Sequence, residues 1–198
     1  MNLGIVTSFV VGGLLLLSIM HMNFTVSNNS MQTTLQMVSK QNLRGISQTL
    51  TSDFQQMGYN VSGNDVDDIL NSIAENEISF QADVNHDGSV ETIIWRLTSD
   101  SYDQSTNPND IVLERVGPVE AGGGSVTSTY SAVSFELTYY DTNHEVTSNI
   151  TEVDQIGIEI ITESPAPVTS QNGNENYSRS FWQRTIVPPS LHIRQIAN

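Results

Sequence analysis

An uncharged apolar segment near the amino terminus constrains this chain more than any other feature. Residues 3–20 read LGIVTSFVVGGLLLLSIM, which is eighteen residues without Asp, Glu, Lys or Arg. An α-helix needs roughly 20 such residues to cross a bilayer. No Lys or Arg precedes Lys40, and no clear small-residue cleavage site follows the segment, so the pattern favours a retained helix over a cleaved signal peptide. We expect residues 1–22 to form a transmembrane or filament-core helix.

The helical pattern continues beyond the apolar segment. No Gly or Pro occurs between Met22 and Gly45, and Gly58 is a suitable stop for a helix. Apolar residues recur at helical spacing at Met31, Leu35, Val38, Ile46, Leu50, Phe54 and Met57. We therefore predict one helix from about residue 2 to residue 57, roughly 80 Å long, with residues 23–58 as its amphipathic part. The stretch 23–30 is its weakest part, because Asn and β-branched residues have low helix propensity.

The remainder, residues 59–198, is predicted to form an extracytoplasmic α+β domain. Residues 64–74 read as a short helix that Asn64 or Ser62 caps and whose buried face comprises Val66, Ile69, Leu70 and Ile73. The period then changes to two, and a turn-rich link joins residues 78–82 and 90–97 into a β-hairpin. Further strands are predicted at 111–116, 132–140, 155–161, 179–187 and 190–195, with Pro188 and Pro189 as a break or a bulge. The fold class is α+β, with a long N-terminal helix packed against an antiparallel sheet.

Composition excludes several function classes. The formal charge is −15, from 22 acidic and 7 basic residues, so nucleic acid and anionic lipid headgroups are poor partners. The chain has no Cys, and its four His residues are scattered, which disfavours disulfides and zinc sites. Because no nucleophile, phosphate-loop or dinucleotide motif occurs, we expect no catalysis, no small-molecule substrate and no organic cofactor.

One short motif has the spacing of an ion-binding loop. Oxygen-bearing side chains alternate before and after Gly88, and the candidate calcium ligands are Asp83, Asn85, Asp87, Ser89 and Glu91. Ile94 stands where a calcium loop has its last bidentate Glu, so Glu91 would have to complete the shell. The alternative is an Asx-type turn in which Asp and Asn side chains accept hydrogen bonds from the backbone. Both interpretations remain open at this stage, and a structural Ca²⁺ is the single cofactor predicted.

The architecture resembles the type IV pilin and pseudopilin superfamily, in particular its larger J-type minor pseudopilins. The segment FQADVNHDGSVETIIWRL at residues 80–97 is similar to a hairpin that is common in pilin-like proteins. VSFELTYYD at 133–141 is similar to a later strand of the family, and SFWQRTI at 180–186, with Arg194, is similar to its C-terminal strand. The resemblance implies an apolar N-terminal helix that continues under an antiparallel sheet and assembles with copies of itself or with other pilin-like subunits.

Two departures from the family pattern accompany this resemblance. A basic leader that ends in Gly before Phe is not found, and Ile5 stands where the family has an acidic residue. In the family, that carboxylate pairs with the N-terminal amine of a neighbouring subunit. The alternatives are a divergent minor subunit, or a filament or envelope protein that shares the shape and uses a different assembly route.

We therefore expect a structural subunit of a pilin-like extracellular filament or secretion pseudopilus. It would be anchored in the inner membrane of the cell envelope before assembly, with its domain outside the cytoplasm. The predicted assembly surface comprises Leu3, Ile5, Val6, Phe9, Val10, Gly12, Gly13, Leu14, Leu15, Leu16, Leu17 and Ile19. The alternative is a monomeric, membrane-anchored surface binding protein or adhesin that uses the loops near Gly122 and at residues 164–176.

Overall fold

The long N-terminal helix is continuous in the computed structural model, which describes residues 3–63, 65–120, 122–169 and 175–197. Helix α1 spans Leu3–Gln55, so its 53 residues extend about 80 Å. The stretch 23–30 stays helical within it. Beyond the helix, Gly58 has a φ of 76° and donates its N–H to the carbonyl of Gln81 at 2.9 Å. A Cβ at this position would lie 2.5 Å from Ile69 Cδ1, so the turn that ends the helical segment requires glycine.

Ten β-strands follow α1 within the described residues, and each is antiparallel to its neighbours. Strands β1 to β5 form one sheet in sequential order, with bounds Leu70–Ile73, Glu77–Ala82, Glu91–Ser101, Ile111–Gly117 and Val126–Ala132. A second sheet has the order β10-β7-β6, with β6 at Ser134–Tyr140, β7 at Gln155–Glu163 and β10 at Arg179–Ile186. The short strands β8, Val168–Thr169, and β9, Glu175–Asn176, pair with each other. The α+β class with an antiparallel sheet under a long helix is confirmed, and the strands divide between two main sheets.

The predicted hairpin is present as β2 and β3. Ile78 lies opposite Trp95 and Phe80 lies opposite Ile93, so the alternation read from the sequence matches the register. The predicted strands at 111–116, 155–161 and 179–187 lie in or close to β4, β7 and β10. The predicted strand at 132–140 begins at residue 134, and β5 before it was not predicted. The reason is its sequence, VTSTYSA, in which Ser and Thr leave little apolar alternation.

The short helix predicted at residues 64–74 is wrong. The chain forms a single 3₁₀ turn at Val66–Asp68 and then strand β1. Asp65 is the cap residue, and its N–H donates to Asp68 Oδ2 at 3.0 Å; of the two predicted caps, Asn64 lies outside the described residues. The apolar residues at 66, 69, 70 and 73 fit a helical face, but pairing of β1 with β2 determines the backbone instead.

The strand predicted at residues 190–195 is also wrong, because this segment belongs to helix α2, Pro189–Ala197. Proline suits the first position of a helix, where its missing N–H has no partner to lose. Pro188 and Pro189 therefore end β10 and begin α2 rather than forming a bulge. Leu191 is fully buried, whereas Ile193 is exposed. The guanidinium of Arg194 donates to the carbonyls of Val61 and Asp65, which ties α2 to the loop after α1.

The core lies between the distal part of α1 and both sheets. The helix contributes buried side chains at steps of three and four, namely Leu43, Ile46, Leu50 and Phe54, and Met57 follows in the turn after the helix. Strand β7 contributes Ile156, Ile158 and Ile160 from alternate positions. Of the predicted stripe, Met31 and Val38 remain exposed. Met31 precedes Leu35, the first residue of α1 that the domain buries.

A buried ionic network joins α1 to the five-stranded sheet. Asp53 accepts two hydrogen bonds from the guanidinium of Arg115 in β4, at 2.7 and 2.9 Å. It also accepts one from the indole Nε1 of Trp95 in β3, at 2.8 Å. Burial lowers the pKa of Arg115, but the hydrogen bonds and charge of Asp53 outweigh it and hold that pKa above its ordinary value. The fork geometry fixes the rotation of α1 about its own axis relative to the sheet.

The first prediction concerns this network. Asp53→Asn leaves the buried guanidinium without its counter-charge, and we expect it to lower the free energy of unfolding by about 3–5 kcal/mol. Urea denaturation of the full chain in detergent micelles, followed by tryptophan fluorescence, measures this loss. The matched control is Arg96→Met, which removes the more exposed ion pair with Glu114 and should cost about 1 kcal/mol or less. If both variants lose the same free energy of unfolding, the Asp53 network does not stabilise the fold more than an exposed ion pair does.

Candidate assembly surface

The predicted assembly residues lie on a part of α1 that the domain does not cover. Among residues 4–34, whose side chains the structure describes, none is buried. The apolar members of the predicted set from Ile5 to Ile19 are between 50% and 77% exposed, and the side chain of Leu3 lies outside the described part. We call residues 4–26 the apolar rod. It ends with the exposed side chains of Phe24 and Val26.

Gly12 and Gly13 lie in the middle of the apolar rod. A Cβ built at either glycine meets nothing within 4 Å, so the isolated chain does not require glycine at these positions for space. Small residues in the middle of an apolar helix allow the backbone of a neighbouring helix to approach closely. Any requirement for glycine here would therefore come from a second molecule.

The hydroxyl groups of the rod are satisfied by the helix itself. Ser8 and Ser18 donate to carbonyls four residues earlier, at 2.9 Å each, and Thr7 donates to the carbonyl of Gly4. Thr25 follows the same pattern toward His21. Because a lone polar group in an apolar medium costs several kcal/mol, this arrangement lets the segment enter lipid or a helix bundle.

Helix α1 is the one helix in the described residues that is long and apolar enough to cross a membrane, by length and composition. None of its most apolar window is buried within the molecule, in contrast to the core helix of a soluble protein. This is the extent to which the structure bears on membrane anchoring.

The predicted calcium loop forms a tight turn between β2 and β3. Asp83 is buried, and its carboxylate accepts the N–H groups of Asp87 and Gly88 at 3.1 Å each. Asp87 in turn accepts the N–H groups of Ser89 and Gly122, and these bonds lower the pKa of Asp87. The geometry is that of an Asx-type turn, which also fastens the loop at Gly122 to the hairpin.

Glu91 is the exception in this turn, because its Oε2 atom is buried without a hydrogen-bond partner among the described residues. Burial and the charges of Asp87 and Asp83 raise the pKa of Glu91. No group of three or more His, Cys, Asp or Glu side chains in the described chain is arranged to hold a metal ion. Calcium binding by Asp83, Asn85, Asp87, Ser89 and Glu91 therefore stays a prediction.

A basic groove, not predicted from the sequence, lies next to the point where the domain begins to cover α1. It has a volume of about 420 Å³ and lies between α1 and β10, with Lys40, Arg44, Arg179, Phe181 and Trp182 among its lining residues. Three of the seven basic residues of the chain thus share one surface. Phe181 is 56% exposed beside them. The sequence gives little sign of this groove, because it depends on β10 packing beside α1.

The second prediction concerns Glu91. A raised pKa in the folded state means that the ionised group destabilises the fold at neutral pH, and that this penalty fades as the pH falls through the folded pKa. In EDTA at pH 7, Glu91→Gln should raise the unfolding temperature. The gain should disappear below the ordinary pKa of about 4.5, where the carboxyl is protonated in both states. Glu75→Gln, at an exposed position, is the control and should leave the temperature unchanged.

The unmodified chain and Glu91→Gln also test whether the turn binds calcium. Bound Ca²⁺ would supply the missing partner of Glu91, so it should raise the unfolding temperature of the unmodified chain and not that of Glu91→Gln. Identical temperatures of the unmodified chain in Ca²⁺ and in EDTA would leave the Asx-type turn as the whole explanation.

Comparison of the chain with protein-family models, curated proteins and solved structures found no match.

Proposed function

We propose that this protein is a non-enzymatic structural subunit of a pilin-like extracellular filament or secretion pseudopilus. In this proposal it assembles through the apolar rod. The observation that carries the proposal is the division of one continuous helix into two parts: residues from Leu43 to Met57 supply the core, whereas the rod leaves every described apolar side chain exposed.

An exposed apolar surface of this length requires an apolar environment. The apolar rod, residues 4–26, extends about 35 Å, which is slightly more than the roughly 30 Å hydrocarbon core of a bilayer. Lipid would cover the rod before assembly, and rods of neighbouring subunits would cover it afterwards. In the proposed location the rod anchors the chain in the inner membrane, and the domain lies outside the cytoplasm and then on the filament surface.

Charge gives the proposal a second support. A chain with net charge −15 repels its own copies, and an assembled form needs local attraction to offset this repulsion. In the basic groove, Arg179 already pairs with Glu163, so the available positive charge is that of Lys40 and Arg44. These two residues lie on α1 about 20–27 Å beyond the end of the rod, where the acidic surface of a second copy would lie beside them. A groove on one surface that binds a different surface of the next copy is a heterologous contact, which continues into a filament when it does not close into a ring.

The third prediction tests assembly through the rod. Gly13→Leu should weaken self-association of the full chain in mild detergent by about tenfold, or ~1.4 kcal/mol, because a bulky side chain keeps neighbouring helices apart. Light scattering coupled to size-exclusion chromatography over a range of protein-to-detergent ratios measures this change. Gly45→Leu is the matched control: it lies in the same helix with nothing within 4 Å of its Cβ, but outside the rod.

A monomeric unmodified chain at all ratios, with no filaments in negatively stained material sheared from cells, would overturn the proposal. That result would favour the alternative of a membrane-anchored surface binding protein or adhesin. Equal weakening by Gly13→Leu and Gly45→Leu would also count against assembly through the rod.

A further inference from the structure

A second buried acid lies away from both the rod and the hairpin turn. Asp110, directly before β4, is 1% exposed, and neither of its carboxylate oxygens has a partner in hydrogen-bonding geometry among the described residues. Burial raises the pKa of Asp110, nearby hydroxyls of Ser105 and Ser131 lower it in part, and the charge of Glu163 raises it further. A carboxylate removed from water in this way costs several kcal/mol unless something compensates it.

The unpartnered carboxylate lines a small cavity with both polar and apolar lining residues. The cavity has a volume of about 150 Å³ and lies between α1 and the ends of both main sheets, with Asn42, Ser105, Ser131 and Glu163 among its other lining residues. A cavity of this volume has room for several water molecules. Binding sites for larger organic ligands are typically about 300 Å³ or more, so the space suits a small ion with part of its hydration shell.

The other acid in this cavity already has partners. Glu163 Oε1 accepts two hydrogen bonds from Arg179, at 2.8 and 3.1 Å. Its Oε2 accepts from the side-chain amides of Asn107 and Asn109 at 3.0 Å each. Asp110 therefore supplies one uncompensated negative charge, and the remaining polar groups at the cavity are neutral hydroxyl and amide groups.

We propose that the Asp110 cavity binds a small monovalent cation such as potassium or ammonium. One free carboxylate with hydroxyl oxygens around it balances a single positive charge. Calcium sites usually combine several carboxylates among six to eight oxygen ligands, and the described residues hold no cluster of three acidic or His side chains. This inference is independent of filament assembly, since the cavity lies within the folded domain.

The fourth prediction is a cation-dependent unfolding temperature. The full chain in detergent is exchanged into tetramethylammonium chloride, whose cation is larger, and KCl or NH₄Cl replaces that salt at constant ionic strength. The unfolding temperature of the unmodified chain should rise and saturate, by about 3 °C or more at full occupancy. Asp110→Asn should show no rise, because its amide has nearly the same shape and no charge.

Two further variants make the result specific. Asp154→Asn alters another buried aspartate, whose carboxylate already pairs with His192. Asp154 directly precedes β7, at the end of that strand opposite Glu163, so this variant should keep the full rise in unfolding temperature. Ser131→Ala removes one hydroxyl near Asp110 and should raise the cation concentration at half-response about threefold or more. This variant keeps the proposal testable if Asp110→Asn does not fold.

Three results would overturn the proposal. The first is an unmodified chain whose unfolding temperature is the same in potassium, ammonium and tetramethylammonium chloride, as expected of a simply protonated Asp110. The second is a response that persists in Asp110→Asn. The third is a larger response to CaCl₂ than to KCl at equal ionic strength in Glu91→Gln, which would indicate a divalent site at Asp110.

Discussion

The carboxylate of Asp53 is the contact on which the arrangement of helix and sheet depends. It accepts hydrogen bonds from two strands at once, through Arg115 of β4 and Trp95 of β3. Apolar packing of α1 is compatible with a range of rotations, because Leu, Ile and Phe side chains adapt to one another. A bidentate ion pair is not adaptable in this way. The apolar stripe selects which face of α1 meets the core. Asp53 then restricts the rotation of that face against the sheet, and by continuity the orientation of the exposed rod.

Local patterns were sufficient to predict the helix, the hairpin and most later strands. The failures occurred where tertiary contacts outweigh local preference. Residues 66–73 have helical spacing, but the neighbouring strand β2 provides a backbone partner that a short isolated helix lacks. Leu191 and Ile193 alternate as in a strand, yet Pro189 begins a helix in which one of them is buried and the other exposed. The division into two sheets has no local signal.

The functional features also differ in how far the sequence alone indicates them. The exposed rod follows from eighteen uncharged residues that the acidic domain is too polar to cover, so the sequence alone indicates it. Asp53 carried a signal that was missed: it is the first acidic residue in the chain and occupies a position on the apolar face of α1. Asp110 and the basic groove carried none, because each depends on α1 packing beside strands that lie far from it in the chain.

The internal hydrogen bonds of Ser8, Ser18 and Thr25 have a consequence for how copies of this chain would recognise one another. Side chains whose donors are already engaged offer no directional contact to an adjacent rod, and dispersion forces between smooth apolar surfaces tolerate sliding and rotation. In the proposed assembly, alignment along a stack of subunits would then depend on the folded domains and on close helix approach at Gly12 and Gly13.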